Sequence, residues 1–572
     1  MWIGSGLKGS NDVNSEWSTV RLKRNPGMKL CTQRNRVVLS ALLLVAAAAA
    51  FAQTPDPSDE EIKVYMANLP FSMPLLKTPV FPANALCIVD FGAVPDGETM
   101  NTKAINSAIR ACSGKGGGTV VVPAGMWLTG PIEMANNTRL HVEAGAVVVF
   151  SPRFEDYPVP ARGSKVTAPI HGRGLTNVGI TGPGMFNGNG HHWRPVKKEK
   201  MTERQWKELI ASGGVITPDG KMWWPSKEAM NGDAYLKNLR ATKKNPTQEE
   251  IAGAREFLRP NMVDLTQCKN VLIDGPTFTN TPGWCLHPND CENVIIRNTK
   301  VTNNWWGQNT DAADINGCVN VLFYRNILDV GDDAICMKSG VNKKREFALQ
   351  NVVIADCIVY KAHGGFVIGS NTDGGMKNIS VKNCTFIGTD IGLRFKSARD
   401  RGGNVENIFV DGVRMKDIAT SAILFDMYYE GNNDNDLSKT RLPHFRHFDI
   451  KNIVCDDAVD AVFVRGLPDA PIESVKMENV SISSKRAMTL ESVDGFTLKN
   501  IRLNFKTGPV LFANNSTNIE LEGILTASAP ELFVKAKGDR TSNIRVLKAD
   551  VSKAKRDHEL APEVKAGAIV VQ

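Results

Sequence analysis

A short phrase recurs through the middle of the chain: Asn followed by alternating apolar residues. It starts at Asn270 (NVLIDG), Asn293 (NVIIRN), Asn320 (NVLFYRN), Asn351 (NVVIADC), Asn378 (NISVKNC) and Asn407 (NIFVDGV), at steps of 23, 27, 31, 27 and 29 residues. An earlier copy starts at Asn177, and related phrases return at Phe448, Val475, Phe496, Asn518 and Asn543. Each has the period-two alternation of a strand with one buried face and is bounded by Gly, Asn and Asp. Strand-rich repeats of this length, with no long helical pattern between them, cannot bury their apolar face alone and must stack. The expectation is an all-β chain, a right-handed parallel β-helix. A leucine-rich repeat is the competing solenoid, but its leucine and Asn spacing is absent.

Cysteines keep the same register. Cys268, Cys291 and Cys318 each lie two residues before the repeat Asn, and Cys357 and Cys384 six after it. Stacking predicts a ladder of buried thiols rather than a disulfide framework. Two stretches interrupt the repeat. The segment NTKAINSAIRAC, from Asn101, sets Ala104, Ile105, Ala108 and Ile109 on one helical face, as suits a cap over the open end of a solenoid. An insertion over about 191–258 holds two capping-box spacings, Thr202 with Gln205 and Thr247 with Glu250. Its Trp193, Trp206, Trp223 and Trp224 are read chiefly as packing the insertion onto the barrel, with one or two lining a sugar site as the sharper alternative.

The predicted organisation is an upstream extension (1–27), an export signal (28–52), an N-terminal segment (53–85) and a β-helix domain (86–572). The signal reading rests on basic Lys29, Arg34 and Arg36, an apolar run from Val37 to Ala50, and the small-x-small site Ala50-Phe51-Ala52. That run is too short for a permanent membrane anchor. It implies export to a periplasm or the exterior, with no membrane attachment after cleavage. Of the formal charge of +8, residues 1–52 carry +5, leaving about +3 for the remainder, so nucleic acid is not an indicated partner.

Four phrases put chemistry where turns are expected: NTDAAD from Asn309, GDDAICMKSG from Gly331, AHGGFVIGS from Ala362 and RFKS from Arg394. The steps from Asp311 to Asp332 (21), Asp332 to His363 (31) and His363 to Arg394 (31) are read as one coil each, giving a polar stripe up one face. Singly, each has a bland reading: Asp pairs favour turns for their own hydrogen-bonding reasons. Jointly, three Asp in adjacent coils supply the acid and the base that glycoside hydrolysis needs. Arg394 and Lys396, two apart on a strand, leave the same face and suit an anionic substrate.

The order Asn-Thr-Asp, Asp-Asp, His-Gly, Arg-x-Lys resembles that of family 28 of the glycoside hydrolases, the polygalacturonase family, from FGAVPDG at Phe91 to about residue 550. The resemblance implies an inverting hydrolase of α-1,4-galacturonosyl linkages in pectic polysaccharide or galacturonate oligosaccharide, acting without metal or cofactor and as a monomer. It implies Asp332 as general acid, Asp311 and Asp333 as activators of water, and His363 as a residue tuning the acid. By the same match Arg394 and Lys396 grip a substrate carboxylate, beside Asn309 and a tyrosine, Tyr429 or Tyr428. Departures are Ala312-Ala313 and Ala362, where members often have glycine or a bulkier residue. The long insertion suggests exo action by closing one end of the groove. The rival enzymes are a Ca²⁺-dependent pectate lyase, with Asp311, Asp314, Asp332 and Asp333 as oxygen ligands, and a rhamnogalacturonan hydrolase. The non-enzymatic rival is a polysaccharide-binding β-helix.

Overall fold

A computed structural model describes residues 57–160, 165–429 and 440–572. The predicted upstream extension and export signal, with Cys31, lie outside the described residues. The body is a parallel β-helix. The central coils each contribute three short strands, such as Val263–Thr266, Lys269–Asp274 and Thr277–Thr279, which merge into longer runs such as Ile472–Glu491 in the later coils, and each pairs in parallel with its counterpart one coil on.

The Asn phrases stack in register. One inward column runs Val178, Val271, Val294, Val321, Val352, Ile379, Ile408, Phe448, Val475, Phe496, Ile519, Ile544, Ile569. β-Branched and aromatic side chains fill a pleated surface buried on its inner side, so the column is the core. The repeat Asn explains itself locally. Asn270, Asn293, Asn320, Asn351, Asn378 and Asn407 all sit at φ of 57–59°, a left-handed conformation Asn tolerates better than other side-chain-bearing residues. Each donates its side-chain amide to the Asn carbonyl oxygen of the preceding coil, at 2.8–3.1 Å. All ten described cysteines are free thiols, and Cys291 Sγ accepts from the Cys268 backbone N–H at 3.4 Å, as a stacked ladder requires.

Helix α1 (Pro57–Met66) and the chain after it pack Ile62 and Leu76 on Leu272, Ile295, Leu322 and Val353. Those four occupy one outward register column, so α1 covers the coils whose outer face is also apolar. Helix α2 (Thr102–Gly114) buries Ala104, Ile105, Ala108, Ile109 and Cys112 over the first coils as an end cap.

Between the strands Met185–Asn187 and Val263–Thr266 the chain leaves the barrel. It forms α3 (Glu203–Ala211), α4 (Lys227–Thr242) and α5 (Gln248–Ala252), with a small antiparallel sheet of Val196–Lys197, Val215–Ile216 and Met222–Trp224. Both expected capping boxes, at Thr202 and Thr247, are formed. The tryptophans take the packing role. Trp193 is fully buried, edge-on to Phe154 and Tyr157, Trp224 lies against Phe257, and Trp206 and Trp223 pack with Trp306 of the barrel.

Candidate active site

The catalytic candidates lie where a coil turns into the strands Ala313–Asn316, Ile335–Lys338, Phe366–Ile368 and Ile391–Lys396. These strands stack with Ala313 on Ile335, Ile335 on Phe366, and Phe366 on Leu393. That register corrects the sequence spacing in two places. The first step is 22 residues, so Asp311 stacks on Asp333, not Asp332, and the Ala312 N–H donates to the Asp333 carbonyl at 3.0 Å. The third step is 27, so His363 is followed by Asp390, and Arg394 stands in the column of Val367 and Cys336. Only the 31-residue step from Asp332 to His363 is one coil, as its backbone bond (His363 N–H to Asp332 O, 2.9 Å) shows.

The side chains converge nonetheless. Lys396 Nζ lies 2.7 Å from Asp333 Oδ2, and Arg394 Nη1 2.9 Å from Oδ1. Burial works to raise the Asp333 pKa, but Lys396, Arg394 and Lys338 outweigh it and hold the carboxyl far below the usual range. Both cations expected to meet substrate are therefore committed to Asp333 in the free protein. Arg394 and Lys396 together still carry more N–H donors than one carboxylate can accept.

Asp311 is the opposite case. It is buried, its Oδ1 has no hydrogen-bond partner among the described residues, and burial with the charges of Asp314 and Asp332 pushes it well above the usual range. Oxygens of Asp311 and Asp333 lie within 4.8 Å of each other. Asp332 is the most accessible of the three, its side chain 17 % exposed against 2 % for Asp333. It accepts backbone N–H groups from Asn309 at 3.1 Å and from Asp333 at 3.0 Å, and lies 3.2 Å from His363 Nδ1. Burial raises its pKa, but the His363 hydrogen bond and the charges around it prevail and lower it.

Asn309 itself is held by Arg259, whose Nη2 donates to its side-chain oxygen at 2.7 Å. Of the two tyrosines, Tyr429 borders the site: its ring centre is 4.7 Å from Lys396 Nζ and 5.9 Å from Arg394, whereas Tyr428 stacks under Arg465 at 4.4 Å. Ala312, Ala313 and Ala362 are buried in the barrel wall.

Several residues escaped the sequence reading. Lys338 ion-pairs with Asp314 at 3.1 Å and sits 4.8 Å over the Trp284 ring, which Lys165 covers at 4.7 Å. Burial, with Arg259, pushes Lys165 down to about 8. Lys200, from the insertion, reaches the Gly331 carbonyl at 2.7 Å and His363 at 2.8 Å. Lys338 was within reach, being in the phrase GDDAICMKSG, whereas Asp314 enters the sequence reading only as an oxygen ligand of the rival calcium-dependent lyase. Lys165, Lys200 and Arg259 come from outside the repeat and carry no periodic signal. Asp311, Asp333 and Cys336 are close enough to share a metal ion, but Lys396, Arg394 and Lys338 already stand against the carboxylates there, which leaves a divalent cation facing three positive neighbours.

Similarity to known proteins agrees with this geometry. The family model "Glycosyl hydrolases family 28" matches residues 196–501, and a second, "Rhamnogalacturonase A/epimerase, pectate lyase-like", matches 86–149. The chain is 24% identical over 443 residues to the exo-poly-alpha-D-galacturonosidase of Dickeya chrysanthemi, spanning 73% of this chain and 71% of that protein. It resembles the crystal structure of a hyperthermoactive exopolygalacturonase from Thermotoga maritima at 27% identity and a TM-score of 0.64, over 78% of this chain and 96% of that one. The family 28 exopolygalacturonase of Yersinia enterocolitica shares the fold at 20% identity and a TM-score of 0.55, over 85% and 79%. On this match, which covers more than half of its length, the chain belongs to family 28 of the glycosyl hydrolases.

Proposed function

We propose that the protein is an exported, exo-acting hydrolase of α-1,4-galacturonosyl linkages in polygalacturonate. The observation that carries this reading is the buried Asp333 carboxylate, clamped by Lys396 and Arg394 beside Asp311 and Asp332. Around it stand Lys165, Lys200, Arg259 and Lys338, an unusual density of cations for a site meant for a neutral sugar.

In the mechanism, Asp332 is the proton donor to the leaving oxygen, since it is the most exposed carboxyl and His363 holds it. Asp333, kept ionised by its two cations, is the base that takes a proton from water. Asp311, kept neutral by burial, donates a hydrogen bond that orients that water. Attack by water on the face opposite the leaving oxygen inverts the anomeric centre. The spare donors of Arg394 and Lys396, over Tyr429, receive a galacturonate carboxylate, and Asn309 lines the same turn. Exo action is supported by the two exopolygalacturonase likenesses and by the insertion, whose Lys200 reaches the turn that carries Asp332. Export rests on residues 28–52; among the described residues no helix is long and apolar enough to cross a membrane.

The test is the time course of products from polygalacturonate and from short oligogalacturonates, for the parent and for Asp332→Asn. Saturated monomer from the start, abolished by the substitution, is expected. Mixed oligomers would remove the exo assignment, and unsaturated products lost with a chelator would replace hydrolysis by a calcium-dependent lyase. Turnover only of rhamnogalacturonan would change the substrate.

A further inference from the structure

His363 is enclosed by four groups. Asp332 Oδ1 lies 3.2 Å from Nδ1, Lys200 Nζ 2.8 Å and Asp390 Oδ2 3.8 Å from Nε2, and the Trp305 ring is edge-on at 5.8 Å between centres. Lys200 is anchored independently: it donates to the Gly331 carbonyl at 2.7 Å, approaches the Trp305 carbonyl at 3.4 Å, and lies 4.7 Å over the Trp305 ring. An ammonium has three N–H donors and no lone pair, so a ring nitrogen 2.8 Å from it accepts and carries no proton. The remaining proton of a neutral imidazole then sits on Nδ1 and points at Asp332.

We propose that Lys200 is a positioning residue, which fixes His363 as the neutral imidazole protonated on Nδ1 and keeps imidazolium charge away from Asp332. This deepens the hydrolase reading and rests on Asp332 as its acid. A full positive charge 3.2 Å from Asp332 would stabilise the carboxylate and oppose its protonation, whereas a neutral N–H donor aligns it with less bias. The charged groups nearest Lys200 are Asp332, Asp390, Lys197 and Glu199, with Arg394 close to Asp390. Burial acts to lower the Lys200 pKa, and Asp332 and Asp390 oppose it. A neutral amine would instead donate to the two carbonyls and accept a hydrogen bond from a protonated Nε2, so the two arrangements differ in which ring nitrogen is protonated.

The experiment is nitrogen NMR on full-length protein labelled in the histidine rings, with the His363 signal assigned by its loss in His363→Gln. In the parent at neutral pH, one protonated and one bare ring nitrogen are expected, with the proton on Nδ1. In Lys200→Met, with no ammonium against Nε2 and Asp390 3.8 Å from it, the Nδ1 preference should be lost and a proton should appear on Nε2. Lys200→Gln, which keeps an N–H donor, should retain the Nδ1 tautomer. A parent ring with a proton on Nε2, or protonated on both nitrogens at neutral pH, or a tautomer unaltered by Lys200→Met would overturn the proposal. The ring measurement needs no substrate, so an inactive parent would sink the hydrolase reading while leaving the tautomer assignment standing.

Discussion

Lys396→Met tests the electrostatics on which the base depends. Asp333 is 2 % exposed and gives one oxygen to Lys396 at 2.7 Å and the other to Arg394 at 2.9 Å. Removing one partner of a buried ion pair costs about 3–5 kcal/mol, because it strands a charge away from water. Arg394 remains, so about 3 kcal/mol at pH 7 is expected. The pH dependence follows from sign. The folded pKa of Asp333 is depressed, so its stabilisation is present above its unfolded value, about 3.9, and fades as pH falls through the folded value. Without Lys396 the folded value climbs, and the stabilisation is lost already at neutral pH. Parent and variant should therefore differ most above about pH 5, the gap narrowing below the unfolded value and closing only as pH falls through the depressed folded value of the parent. Urea unfolding of the parent, Lys396→Met, Asp333→Asn and the double variant, followed by circular dichroism and tryptophan fluorescence, measures this. The double variant should lose less than the sum of the singles, by about 1–3 kcal/mol. Additive losses, or a difference that does not change with pH, would refute the reasoning.

Binding a short oligogalacturonate should take up close to one proton. Asp332 is held ionised in the free site and must be protonated to act, and the incoming carboxylates raise its pKa; calorimetry in buffers of different ionisation enthalpy reads the uptake, which Asp332→Asn should abolish. The Asn ladder offers a conformational test. Asn351, at φ 58°, links Asn320 and Asn378 through two 3.1 Å bonds. Asn351→Gly should lose those two bonds, about 1–3 kcal/mol, and Asn351→Ala a further ~1–2 kcal/mol for forcing Ala into the left-handed region, both read as shifts in unfolding free energy. Dithiothreitol should leave the melting temperature unchanged, because the described cysteines are thiols; a drop would reveal a disulfide.

The fold was legible because one physical requirement repeats. Every coil must bury a strand and turn through a left-handed residue at the same position, Asn from Asn177 to Asn407 and again at Asn518 and Asn543, with His447, Ser474 and Gly495 between, so the period is written in the Asn phrases. Register at the site was less so. Counting from Asp311 to Asp332 measured turn to turn, and turns vary in length while strands must align; the observed coil steps there are 22, 31 and 27 residues. The 27-residue step from Asn351 to Asn378 already implied that His363 stacks on Asp390, which places Arg394 four residues beyond. The α1 contact also had a signal: in NVLIDG, NVIIRN, NVLFYRN and NVVIADC the outward position is apolar, and the column that α1 and the chain after it cover runs on through buried Ser380 to Phe409, where Phe71 packs.

What the repeat could not announce is the charge balance. Coils supply Asp311, Asp314, Asp332, Asp333 and Asp390 with Lys338, Arg394 and Lys396, an excess of acid. Lys165, Lys200 and Arg259 reverse it, and all three enter from segments without a period. With Asp311 driven neutral, the free site is net positive, as an anionic chain end requires. The insertion therefore reaches into the site itself. Trp306 docks it on the barrel, and the adjacent Trp305 seats Lys200 against His363, so the contact that holds the insertion also sets the partner of the acid. A loosened insertion would first cost the proton donor its alignment, while Asp333, clamped by Lys396 and Arg394 from the coils alone, would keep its charge.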